Sequence, residues 1–461
     1  MPNKAKIHYC DIGDYLTREQ KLEKIRLSKH FDGLDLVEIH PNEHGDWLTA
    51  RDEAFQTFIP MESEKKFAGN STGFFEGYSL GVASNKDAFV YSFGRKSLEN
   101  TVDRMVSFYE NQRRLFNESN EKQADCFVKF DSTQIVWTDL FLKSIERDER
   151  FSFETNCVSV SMYRPFQKQM FAYKKQLLQR TYRQLDIFPH LSSQNLVICV
   201  PGAGGTKDFS PLIANGITDL HFNGDSQCFP LYCYEENKTE AQAGLFENKN
   251  AEKYTRKDGI SDFIHQKALS QYGGDVTKED IFYYVYGILH SPEYRERFAD
   301  DLKKSLPRLP LVKSKGDFDV FSKAGRALAD LHLDYENRKP PKSVRVIGAE
   351  SGNFHVEKMR FGGKGKDKDK TIIQYNSLIR IENIPLEAYQ YIVNGKSAVE
   401  WIMERYAIST DKASGIVNDP NDWASEHNQP RYILDLVLSL ISVSVETMRI
   451  VHSLPKVMDK V

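Results

Sequence analysis

The chain has 461 residues with 62 basic and 65 acidic side chains, a net charge of −3. No bulk positive excess marks it as a nucleic-acid binder, so any such surface must be a local patch. Six dispersed cysteines in so long a chain exclude a disulfide framework and point to reduced thiols in the cytoplasm.

In chain order, Lys6–Cys10 (KIHYC) reads as a strand. Thr17 stands three residues before Gln20 as a capping box for a helix running to Leu27. One strand and one helix make a poor domain, so residues 1–27 read as the terminal piece of a domain lying upstream. Asp87–Phe93 (DAFVYSF) alternates like a strand. Leu98–Leu115 is a helix with Val102, Met105, Val106 and Tyr109 on one face, and Asp139–Arg150 a second helix. Cys157–Tyr163 alternates as a strand, and Asn195–Val200 is an apolar run expected as a buried strand. Gly202–Gly205 is a turn. Gln227–Tyr234 is a strand in which Pro230 suggests an edge or a bulge. The polar stretch Glu235–Gly259 reads as a loop or hinge.

Helices follow. Thr277 and Asp280 form a capping box ahead of the stripe Ile281, Tyr284, Val285, Ile288 and Leu289. Ser291–Pro292 caps the next helix, which carries Tyr294, Phe298 and Leu302. A further helix spans Phe318–Leu333. Arg338–Pro341 reads as a linker, and Val356–Phe361 with Thr371–Tyr375 as a hairpin around GGKGKDKDK. Helices are expected at Leu386–Val393, Ala398–Arg405 and Arg431–His452. The predicted class is α+β. A mixed-sheet domain over 28–337 turns helical after about residue 235, and 338–461 forms a hairpin-and-helix subdomain. The apolar stretch Ile433–Val445 is too short to span a bilayer, and no membrane partner is expected.

Catalytic signatures fail on inspection. Pro340–Pro341, flanked by lysines, cannot serve as the amine-holding motif of an amino-methyltransferase. PGAGG at Pro201–Gly205 follows a buried strand but continues as Thr206–Lys207–Asp208, so it matches neither a P-loop nor GxGxxG. No metal-ligand spacing appears. Two features have the chemistry of a DNA reader. The lysine tip, with Lys364, Lys366 and Lys368, can contact phosphates, or it can be a solvated turn. Tyr163–Arg164–Pro165–Phe166 is followed by Gln167, Lys168, Gln169 and Tyr173. It offers the Arg and Gln forks that read base edges, although a buried Arg–carboxylate pair explains Arg164 equally well.

Several strings then fit together: PNEHGDW (41–47), SNKDAFVY (84–91), YRPF (163–166) and DLHFNGDSQCFPLYCYE (219–235). They continue with KEDIFYYVYGILHSPEYRERFADDLKKSLPRLP (278–310), GRALADLHLDYE (325–336), PLEAYQYIVNGKSAVEWIMERY (385–406), GIVNDPNDW (415–423) and RYILDLVLSLISVSVETM (431–448). In this order, over nearly the whole chain, they resemble the C-terminal specificity region of Type ISP restriction–modification enzymes, a phage-defence family. The resemblance implies a target-recognition domain for double-stranded DNA with no catalysis of its own. It also implies partnership with the N6-adenine methyltransferase and the translocase and nuclease domains of the same enzyme. S-adenosylmethionine, ATP and Mg would belong to those upstream domains and none to this chain. SNKD stands where the family leads one to expect a Thr-Asn-Arg-Asp-like string, and Lys86 is a poorer bidentate partner than Arg. The candidate DNA contacts are Lys86, Arg95, Lys96, Arg164, Gln167, Lys168, Thr206, Lys207, Lys364, Lys366 and Lys368. Two other readings stay open: a protein-interaction module whose helix Arg431–His452 docks a partner, and a cryptic methyltransferase or nuclease centred on the glycine loop with Asp219, Asp225 and Glu235.

Overall fold

The structure is a computed structural model. It describes residues 5–13, 16–43, 45–48, 51–62, 69–190, 193–237, 254–365 and 367–461. It forms two compact units, Met1–Asp52 and Glu53–Val461. In the first, strands Ile7–Tyr9 and Val37–Ile39 pair antiparallel around helix Arg18–Ser28. The expected capping box closes that helix: Thr17 Oγ1 accepts from Gln20 N at 3.2 Å and Gln20 Oε1 from Thr17 N at 2.8 Å.

The fold is α+β, as expected. The second unit holds a four-stranded antiparallel sheet ordered Ser79–Leu80, Gln227–Pro230, Val197–Val200, Leu212–Ala214. Beside it lies a three-stranded sheet of Tyr91–Ser92, Gln167–Ala172 and Val158–Arg164. The expected mixed sheets are instead antiparallel: among the described residues parallel pairing is confined to single bridges such as Val82 with Asp219 and Met162 with Thr218. One hydrophobic core runs from the three-stranded sheet and helix Arg95–Asn117 into the C-terminal region, joining Val102, Tyr109, Phe171, Ile373, Trp401 and Ile441. A second gathers Phe75, Phe229, Tyr284 and Phe321 around the central helices. Among the described residues no helix is long and apolar enough to cross a membrane.

Several elements differ from the sequence reading. Asp87–Val90 is a helical turn, and only Tyr91–Ser92 is strand. Phe89, Val90 and Tyr91 are all buried in succession, which an alternating strand cannot achieve. The Asp139 helix ends at Glu146, because Asp148 just beyond it takes a positive φ of 54°. Gln227–Pro230 is an inner strand, and Pro230 is its last paired residue, where the chain leaves to form a separate ribbon of Tyr232–Glu236 with Tyr254–Asp258. The stretch read as a loop after Glu235 therefore contains strand at both of its described ends. The helix expected over Phe298 is broken there into Pro292–Arg297 and Ala299–Lys304. Leu386–Val393 is a short 3-10 turn, Leu386–Tyr389, followed by a hairpin of Ile392–Val393 with Lys396–Ser397. Asn394 and Gly395 sit at φ of 49° and 82°, the two positive values a two-residue hairpin turn demands.

Helix Lys278–Leu289 is buried all round from Ile281 onward, rather than along one stripe, and crosses helix Lys315–Leu333 at two glycines. A Cβ at Gly325 would lie 1.8 Å from Tyr283 O, and one at Gly287 2.2 Å from Phe321 O. Each helix backbone thus occupies the space that the other's side chain would need. Gly325→Ala is expected to lower stability by about 3 kcal/mol, the upper end of ordinary overpacking, read as an earlier denaturant midpoint. Gly274→Ala, where nothing stands within 4 Å, should change it by less than about 1 kcal/mol.

Candidate nucleic-acid interface

The hairpin Val158–Arg164/Gln167–Ala172 turns at Pro165–Phe166, with Phe166 at φ 58°. This turn delivers Arg164 inward. Its Nη1 donates to Asp219 Oδ1 at 2.6 Å and its Nη2 to Asp87 Oδ2 at 3.1 Å, while the guanidinium lies 3.8 Å from the centre of the Tyr163 ring. The Tyr163 hydroxyl donates to the same Asp87 oxygen at 2.9 Å, and the Ser84 hydroxyl donates to the other. Burial pushes the Asp219 carboxyl up to about 6, against the pull of Arg164. Arg164 is therefore the partly buried partner of two carboxylates, and its fork is taken up by them.

The same holds for Lys86. It is 3% exposed, donates from Nζ to Ser84 O and Leu177 O at 3.2 Å each, and lies 4.2 Å from the centre of the Phe141 ring. Burial lowers its ammonium to about 8. Gln167 is buried and donates to Arg405 O at 3.4 Å, and Lys168 pairs with Glu336. The SNKD and YRPF strings thus build an internal clamp. Arg95 is exposed but pairs with Glu99 at 2.9 Å and donates to Thr155 O at 2.7 Å. The Arg95 and Lys96 backbone N–H groups, at the start of their helix, donate to Glu426 at 2.7 and 3.0 Å, so a carboxylate already occupies this helix N-terminus. The Lys96 side chain is exposed.

The remaining candidates converge. In the glycine loop, residues 203–208 are exposed, including Thr206 and Lys207. The loop is held by Gly202 N–H donating to Gly224 O at 3.0 Å and Gly204 N–H to Lys303 O at 2.6 Å. The Asn394–Gly395 turn docks beside it. Asn394 N–H donates to Ser210 Oγ at 2.9 Å, and Lys207 crosses Gly395 so closely that a Cβ there would lie 3.1 Å from Lys207 Cδ. On the far side of the turn, the strands Arg360–Lys364 and Asp367–Gln374 pair as a hairpin. Between hairpin, turn and helix Ala398–Arg405 lies a cleft of about 600 Å³ lined by Lys358, Arg360, Lys368 and Lys396, with Glu400 and Glu404 opposite. Lys396 is tied to Glu404, whereas Lys358, Arg360 and Lys368 are exposed. Lys366 lies outside the described residues.

The structure therefore brings the glycine loop and the lysine hairpin, more than 150 residues apart, to one turn. Sequence reading missed Lys358, Arg360 and Lys396. The signal for Lys396 was the Asn394–Gly395 turn beside it; Lys358 and Arg360 join it only through the hairpin's tertiary placement. The helix Tyr432–Ser453 buries Leu434, Val437, Leu438 and Ile441, and none of its residues is among the exposed large hydrophobics. It thus lacks the exposed apolar face that would have supported the docking-module reading.

A family model for the Type ISP C-terminal specificity domain matches residues 73–436. No curated protein matches the chain. Among solved structures, it is similar to a nuclease-deletion mutant of the Type ISP restriction-modification enzyme LlaGI in complex with a DNA substrate mimic, at 34% identity and TM-score 0.84. The match covers 98% of this chain and 39% of that one. The ATP-dependent Type ISP enzyme LlaBIII bound to DNA gives 33% identity, TM-score 0.84, and coverage of 98% and 28%. A DrdV–DNA complex gives 25%, 0.82, and coverage of 98% and 43%. The chain thus spans less than half the length of each of these relatives.

The Arg164 clamp has a pH signature. A carboxyl raised to about 6 when folded binds a proton more tightly folded than unfolded. Its contribution to stability is therefore full below the ordinary carboxylate range and is lost as pH rises through about 6. Arg164→Met removes the counter-charge of two carboxylates and is expected to cost about 3–5 kcal/mol at neutral pH. The deficit should shrink at about pH 5, where Asp219 takes up a proton. Urea denaturation at the two pH values measures it, and a pH-independent deficit would mean the clamp is not electrostatic.

Proposed function

This chain belongs to the family of Type ISP C-terminal specificity domains, and we propose that it reads a short site in double-stranded DNA for a longer restriction–modification enzyme acting in the cytoplasm. The observation that carries this reading is the cleft lined by Lys358, Arg360 and Lys368, which shares the Asn394–Gly395 turn with Lys207 of the exposed glycine loop. Cations on a rigid hairpin and an exposed loop can follow a phosphate backbone and fix the duplex in register. Base edges are then read from the loops beside them. The DNA complexes formed by its structural relatives support the same reading.

In this reading the chain performs no chemistry. Methylation of adenine N6, with the target base flipped into the methyltransferase, falls to other domains of the enzyme. Those domains would bind S-adenosylmethionine, ATP and Mg. The glycine loop serves as a docking strut and a phosphate contact, not as a nucleotide cradle. Its Gly202 and Gly204 N–H groups, the donors such a cradle would use, are already bonded to backbone carbonyls.

Selection of a randomised duplex pool on the purified chain, at several salt concentrations, tests the proposal. A short enriched motif with steeply salt-dependent affinity is expected. Absence of enrichment, even when the selection is repeated with the methyltransferase half restored, would overturn it. The individual phosphate-binding cations separate by salt slope. Neutralising one of them should reduce the slope of log K against log salt by about 0.9. Lys207→Gln with Lys368→Gln is expected to reduce it by nearly twice that amount in fluorescence-anisotropy titrations. Lys86→Met should leave it unchanged, because that ammonium is buried.

A further inference from the structure

Arg295, in the short helix Pro292–Arg297, is a partly buried guanidinium without a counter-ion. Among the described residues none accepts a hydrogen bond from it or forms an ion pair with it. Two other arginines whose charge burial disfavours are provided for. Arg308 donates to the carbonyls of Phe58 and Gln56, and Arg405 pairs with Glu404 at 3.4 Å. At Arg295 the Nε is enclosed and unpaired. The side chain as a whole is only partly buried, so its Nη groups are the ones that reach solvent.

The neighbours do not supply the missing charge. His290 and Tyr391, both buried, are the interior groups near the guanidinium. His290 Nδ1 donates to Tyr286 O at 2.8 Å, and burial holds the imidazole down to about 3, so it is neutral. Burial raises the Tyr391 hydroxyl above its ordinary range, so it is neutral too. The acids nearby are Asp208 and Glu296, both exposed, and Asp208 leans on Lys303 at 3.6 Å. A charge drawn out of water with neutral groups behind it is unfavourable until an anion reaches it from outside.

The position selects the anion. Gly204 N–H donates to Lys303 O at 2.6 Å, which ties the glycine loop to helix Ala299–Lys304, directly after Arg295. Tyr391 leads into the hairpin whose Asn394–Gly395 turn meets Lys207. Arg295 therefore lies among the elements that frame the cationic face. A base edge would bring it acceptors but no charge, whereas a phosphate brings both and matches two guanidinium N–H groups at once. We propose that Arg295 binds a phosphate of the DNA backbone through its Nη groups, as a fixed contact beside the glycine loop that the surface lysines supplement. The inference rests on the DNA-reading function proposed above. It has a consequence for the free protein: the residue that strengthens binding leaves an unmatched charge in the fold, so stability and affinity should move in opposite directions when it is replaced.

The test uses the full chain. Arg295→Met is expected to raise the urea midpoint of the free protein, to weaken duplex binding about tenfold whatever the sequence, and to reduce the slope of log K against log salt by about 0.9. Arg295→Lys keeps the charge but not the fork, so it should keep the slope and lose part of the affinity. Inorganic phosphate, added at constant ionic strength, should raise the midpoint of the wild type more than that of Arg295→Met. A Met variant less stable than the wild type would make Arg295 a structural residue and overturn the proposal. An equal response of both proteins to phosphate would also overturn it. Duplex affinity and slope unchanged in Arg295→Met, while Lys207→Gln with Lys368→Gln still lowers the slope, would overturn it and leave the DNA-reading function standing. A wild-type chain that binds no duplex, even with the methyltransferase half restored, would overturn both.

Discussion

Arg164 and its two carboxylates tie together three pieces of chain that lie far apart in the sequence. Asp87 comes from the turn that follows Ser84, Asp219 from the segment between strands Leu212–Ala214 and Gln227–Pro230, and Arg164 from the end of a hairpin. Backbone bonds set the stage. Asp219 N–H donates to Met162 O at 2.9 Å, Leu220 N–H to Val82 O at 2.8 Å, and Val82 N–H to Thr218 O at 2.8 Å, so one short segment stitches both sheets. The guanidinium then fixes side chains across that seam. Taking charges out of water is costly, and here the cost is offset by two carboxylates and the Tyr163 carbonyl, which accept from the guanidinium. The polar loops on either side hang from this seam.

The cleft at the Asn394–Gly395 turn is assembled by a different logic. A hairpin, a helix and the glycine loop converge there, with the positive-φ turn as the common anchor. The exposed glycine loop beside them can vary in sequence while its backbone anchors at Gly202 and Gly204 keep it in place. The apolar mass beneath, from Tyr109 and Phe171 through to Ile441, supplies the rigidity.

What could be read in the sequence was what is local. The capping boxes at Thr17 and Thr277 and the Ser291–Pro292 cap involve neighbours three residues apart or fewer, and each is found where the pattern put it. The partners of Arg164 lie 55 and 77 residues away, so no spacing rule could choose between a free base-reading fork and a buried ion pair. Lys86 failed similarly: an ammonium in a polar string looks exposed until Phe141 and Leu177 fold over it. Just past Leu386–Val393 the signal was present, in the Asn394–Gly395 pair that favours a two-residue hairpin turn. The family resemblance, carried by ordered strings over most of the chain, reached further than any single residue.

The contacts between Gly94–Ser97 and Asp422–Glu426 bear on how parts of this chain could be recombined with those of a homologue. Glu426 closes the start of the Arg95–Asn117 helix, Asp422 accepts from Ser97, and Asn418 accepts from Phe93 N–H at 3.3 Å. Glu336, Lys168 and Tyr432 add another tie between the halves. The recognition region is therefore not a string of interchangeable modules. A chimera that takes residues 338–461 from one homologue and the preceding part from another inherits mismatched halves of these joints. Transplanting a target preference would require either the whole of 53–461 or a graft confined to loop tips that leaves the joints intact.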